Sequence, residues 1–132
     1  MILLQQPYVT IKTLNNDTIL SVEWRGEVSL DDFRNSIDCL VDHIVRLRPK
    51  YLVIDTRKQA VLSKEATDYA VHAQSKITNM AIIFVLPDSV YTRMSVDMFD
   101  EQMTVKQTTN PVKYFQNIDD AYQWIETQVS TM

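Results

Sequence analysis

The sequence predicts an α/β fold built on a single mixed, largely parallel sheet with helices packed against it. Three observations carry that expectation. An opening pair of alternating segments brackets Asn15-Asn16-Asp17. Apolar, β-branched runs end abruptly at Asp55 and Pro87. Between and after these runs lie segments of helical period, giving the order β-β-α-β-α-β-α-β-α, and strands alternating with helices imply crossover connections and parallel pairing.

Each element has its own warrant. Tyr8 to Leu14 alternates apolar and polar residues, and Thr18 to Trp24 resumes the alternation after the Asn-Asn-Asp break. Asn and Asp tolerate the positive φ of a tight turn, so the two segments read as a hairpin supplying an antiparallel edge. Ser29 is placed to cap a first helix carrying Leu30, Phe33, Ile37, Leu40, Val41, Ile44 and Leu47 at helical spacing, with Pro49 closing it. Asp31 and Asp32 near its start and Arg46 and Arg48 near its end suit the helix dipole.

Tyr51 to Ile54 reads as a short strand buried on both faces and ending at Asp55. Ser63 begins a second helix with a narrow stripe of Ala66, Tyr69, Ala70, Ala73 and Ile77, suited to close packing on a sheet. Met80 to Leu86 is the most apolar strand and is expected to be central. Val90, Met94, Met98, Phe99 and Met103 suggest a third helix, Pro111 to Phe115 a last strand, and Asn117 the cap of a closing helix with Ala121, Trp124, Ile125 and Val129.

The length of 132 residues and the absence of a linker or composition break predict one domain over residues 1–132. The net charge is −4 and the thirteen Lys and Arg are scattered, which argues against nucleic acid as a partner. The longest apolar run, Met80 to Leu86, falls far short of the roughly 20 residues of a membrane span. No secretory leader is evident, and Cys39 as the only cysteine suits a reducing cytoplasm.

Gly26 is the sole glycine, so neither a dinucleotide fingerprint nor a phosphate-binding P-loop nor a nucleophile elbow can be built. His43 and His72 are the only histidines. Cys39 and His43 lie four apart on the polar side of the first helix, beside Asp32, Asn35 and Arg46, but two ligands make no zinc cage. No cofactor, metal or catalytic residue is expected.

Two surfaces remain as candidates. Asp55, Thr56, Arg57 and Lys58 follow a buried strand, where ligands of open α/β sheets bind, and Ser63 begins the next helix. Asp55 either accepts hydrogen bonds from the adjoining loop, leaving Arg57 and Lys58 to meet a partner's carboxylate or phosphate, or ties down a turn with solvated bases beside it. Met94, Met98 and Phe99 form either core packing or an apolar pocket or dimer contact.

The stretches EWRGEVSLDDF, YLVIDTR, AIIFVLP and VKYFQNIDDAYQWI together resemble the STAS-like (SpoIIAA-like) family over nearly the whole chain. Trp24, Gly26, Leu52 to Asp55, Phe115, Ala121 and Trp124 carry the likeness. The resemblance implies a non-enzymatic module that binds protein partners, or a relative of lipid-carrying domains. In the family's anti-sigma-factor antagonists a Ser or Thr in an Asp-Ser-Ser-Gly stretch is phosphorylated. Here the stretch is Val61-Leu62-Ser63-Lys64-Glu65, without the Asp or the Gly, so the resemblance assigns Ser63 that role by position alone. The sequence therefore points first to a regulatory protein-binding module, with a carrier or sensor of a small apolar ligand and an enzyme of unrecognised type as alternatives; homodimerisation is left open.

Overall fold

In the computed structural model, residues 1–60, 62–77, 79–87 and 111–130 are described. The elements are β1 (Ile2–Gln6), β2 (Val9–Leu14), β3 (Ile19–Gly26), α1 (Leu30–Leu47), β4 (Tyr51–Gln59), α2 (Lys64–Gln74), β5 (Ala81–Val85), β6 (Val112–Phe115) and α3 (Ile118–Ser130). They form one six-stranded sheet in the order β1-β2-β3-β4-β5-β6. The pairs β1–β2 and β2–β3 are antiparallel, and β3–β4, β4–β5 and β5–β6 are parallel. The expected third helix lies outside the described residues, as do Met94, Met98 and Phe99.

Local chemistry accounts for the boundaries. Asn15, Asn16 and Asp17 all adopt left-handed φ, which residues with short polar side chains tolerate, and so turn the β2–β3 hairpin. The Ser29 hydroxyl accepts from the Asp32 N–H at 3.1 Å, and Arg48, at φ 50°, closes α1 by donating its N–H to the Ile44 carbonyl. The Asn117 side chain likewise accepts from the Asp120 N–H at 2.8 Å at the start of α3.

Three features depart from the sequence reading. β1 is an added edge strand; its Ile-Leu-Leu-Gln-Gln sequence lacks alternation, and its register shifts between Ile2 and Leu4. β4 runs through Asp55 to Gln59 rather than ending at Ile54, because β3 continues beside it past an irregularity and pairs Arg25 with Lys58 and Gly26 with Gln59. α2 stops at Gln74, so Ile77 is buried from the turn beyond it rather than from the helix.

The pleat sorts the core onto two faces. On one face Val22, Trp24, Leu52 and Ile82 meet Phe33, Ile37, Leu40 and Ile44 of α1 and Ala66 of α2. On the other Ile19, Val53, Ile83 and Val85 meet Ala121 and Ile125 of α3. Every candidate residue must therefore belong to one side of the sheet or the other.

Candidate functional site

The residues expected to make one rim are divided by that pleat. Thr56 follows Leu52 and Ile54 on the α1–α2 face and borders a cavity there. Asp55 and Arg57 lie on the α3 face, where Glu23 and Asp119 contribute to the field at Arg57. Asp55 is buried, and Arg57 grips it with two guanidinium bonds, Nε to Oδ1 at 3.0 Å and an Nη to Oδ2 at 2.8 Å, while its backbone N–H also donates to Oδ1. This hydrogen bond and the facing charge hold the Arg57 pKa above its ordinary value. The partner of Asp55 is thus its own strand neighbour, two residues on, and the guanidinium is committed to it. Lys58 remains exposed.

Thr56 donates its hydroxyl to the Val85 carbonyl at 3.0 Å. The exposed Ser63 caps α2 by accepting from the Ala66 N–H at 3.1 Å. It borders a depression of about 390 Å³ whose wall carries Glu27 and Glu65. A phosphoryl group on Ser63 would gain from the helix dipole but meet both carboxylates, so the two electrostatic terms oppose each other there.

Cys39 and His43 are half-buried on α1. Burial, then the Arg46 charge, lower the His43 pKa, and Arg46 donates to its Nδ1, which fixes the neutral tautomer with the proton on Nε2. Burial and Asp42 raise the Cys39 pKa, keeping it a thiol. No cluster of three or more His, Cys, Asp or Glu positioned for a metal occurs among the described residues. His72 is exposed on α2.

An apolar cavity of about 330 Å³ lies between the sheet and the two helices. Its floor is Leu52, Ile54, Ile82 and Phe84; its roof is Ile37, Leu40 and Val41 of α1 with Ala70 and Ala73 of α2. Two aromatic pairs contribute to the wall: Trp24 with Phe33 at 5.0 Å, and Phe84 stacked on Tyr114 at 5.5 Å with an 11° interplanar angle. By its sequence the alanine stripe of α2 is expected to pack closely on the sheet. Its Ala70 and Ala73 instead leave space, because a methyl group reaches too little of the floor. Outside the cavity the helices are joined by the Tyr69 hydroxyl donating to Asp38, with Arg34 over the Tyr69 ring at 5.6 Å. The acceptor carboxylate raises the Tyr69 pKa.

The chain matches no protein-family model and no curated protein. It is similar in structure to an uncharacterised protein of the DUF3478 family with a SpoIIAA-like fold from Shewanella loihica PV-4. The TM-score is 0.62 at 16% identity, over 88% of this chain and 90% of that one. The fold is SpoIIAA-like. The expectation of a STAS-like architecture with a mixed sheet is thereby met, and at this identity the likeness speaks for fold alone. Among the described residues no helix of this SpoIIAA-like domain is long and apolar enough to cross a membrane.

Proposed function

We propose that the chain is a single non-catalytic binding module over residues 1–132 that takes a small apolar ligand between the sheet and its α1–α2 layer. The cavity of about 330 Å³ is the observation that carries this reading. An apolar recess of that size, open on one side, leaves its lining short of dispersion contacts that a ligand can supply. Its volume falls within the range of small-molecule sites. A composition with one cysteine, Cys39, supports a reducing, cytoplasmic setting.

Native mass spectrometry of protein purified from its own cell tests the reading, with an organic adduct of a few hundred daltons expected. A bare protein whose Ile37, Leu40 and Ala73 methyl resonances also ignore added naphthalene would overturn it.

A protein partner at α2 is a second reading. It is supported by the exposed Val71, 63% accessible, together with the exposed Lys58 and Ser63. Affinity capture with the wild type and with Ser63→Glu should then return a partner for only one of them; recovery of identical sets from both would end this reading.

A further inference from the structure

The cavity wall carries information about what fills it. Among the described residues the lining has no Asp, Glu, Lys, Arg or His. The guanidinium groups next in sequence to lining residues are committed elsewhere: Arg57 is held by Asp55 on the opposite face of the sheet, Arg25 donates to Glu23, Thr10 and the Gln6 carbonyl, and Arg34 sits over the Tyr69 ring. An ionised ligand would therefore leave water for a lining that offers no counter-charge among the described residues, at a cost that apolar contact does not recover.

The described wall nevertheless holds polar groups, the Trp24 indole among them. Trp24 is 4% exposed, and its indole N–H donates to no acceptor among the described residues. Every fully enclosed side-chain nitrogen and oxygen among those residues does have a partner, so the Trp24 Nε1 is not fully enclosed and keeps surface that an acceptor can reach. Buried indoles ordinarily find an acceptor. The half-buried Gln59 and Gln74, also at the wall, have side-chain amides without a hydrogen bond among the described residues.

We propose that the occupant is an uncharged molecule of about bicyclic size bearing a neutral acceptor, such as a ketone, ester or ether oxygen, which the Trp24 N–H receives, and that carboxylates are excluded. This rests on the cavity reading above. The size follows from volume: a cavity of roughly 150 Å³ admits benzene, and this one is about twice that.

The test uses three probes of one shape: 1-acetonaphthone, its isostere 1-isopropenylnaphthalene, in which a methylene replaces the carbonyl oxygen, and 1-naphthoate. Titrations by calorimetry into the wild type and Trp24→Phe are expected to show the ketone and the alkene binding and the carboxylate at least about ten-fold weaker. Trp24→Phe should lower ketone affinity about five-fold relative to the alkene, the size of one net hydrogen bond. In the unaltered protein the Trp24 Nε1–H resonance should move downfield with the ketone and not with the alkene, which keeps the test open if the variant folds poorly. Equal responses to ketone and alkene, or tight naphthoate binding, would overturn the assignment of ligand class while leaving the cavity reading intact. Failure of all three probes to bind would remove both.

Discussion

Filling the cavity from the protein side measures the space that it holds. Ala73 is half-buried at the cavity wall, and Ala73→Leu adds three carbons to a helix position that tolerates leucine well. At about 0.8 kcal/mol per buried methylene the gain is at most about 2.4 kcal/mol. Leucine loses roughly 0.5–1 kcal/mol of rotamer freedom on burial, leaving about 1.5 kcal/mol of net stabilisation. The three carbons fit easily within about 330 Å³. Urea unfolding of wild type and variant would read the difference as a higher midpoint at unchanged slope. The same substitution should weaken 1-acetonaphthone by an order of magnitude or more, because ligand and side chain compete for one volume. A loss of stability of about 1 kcal/mol or greater would be the signature of overpacking and would refute the claim that the space is there.

Four further outcomes follow from the same physical reasoning. Arg57→Met removes two charge-assisted bonds from a buried carboxylate and should cost about 2 kcal/mol by denaturation; adding Asp55→Asn should return part of that loss, since no buried charge is then stranded. Gly26→Ala should cost about 1 kcal/mol through its φ of +61° alone, since an added Cβ there meets nothing within 4 Å. Ser63→Ala should cost about 1 kcal/mol and loosen the first turn of α2, visible as faster amide exchange at Ala66. His43 has a folded pKa below its unfolded value of 6.5, so the folded state disfavours its protonation: stability is full above about pH 6.5 and falls as pH drops below it, and His43→Gln should flatten that part of the pH–stability curve.

The fold was legible in the sequence wherever one residue type has one structural use. Asn15, Asn16 and Asp17 announce their left-handed turn, Ser29 and Asn117 their caps, and the spacing from Phe33 to Ile44 the buried stripe of α1. It was less legible where pairing decides. Nothing in Ile2 to Gln6 itself marks a strand; β2 makes it one by offering an unpaired edge. Likewise Asp55 and Arg57 look like the end of a strand because charged residues are rare inside sheets. They remain within β4 because each neutralises the other across two residues of one face, a contact that no hydrophobic pattern reveals. The cavity was the least visible feature, since a sequence shows which side chains face inward but not whether they reach each other.

That last point also explains why the cavity lies where it does. α1 fills its share of the sheet with Phe33, Ile37, Leu40 and Ile44, whereas α2 buries only Ala66 among its own residues. Two adjacent helices of unequal side-chain length over one pleated floor cannot both sit at contact distance. A polar clamp from Tyr69 to Asp38 ties their outer surfaces together, so the mismatch is left beneath them as open volume. On the opposite face α3 packs Ala121 and Ile125 onto Val53 and Ile83, and the charges of Asp55 and Arg57 lie beside it already paired. Among the described residues the sheet thus has one face whose apolar and ionic demands are met internally and one whose apolar demand is not, and the second is where the proposed ligand would complete the packing.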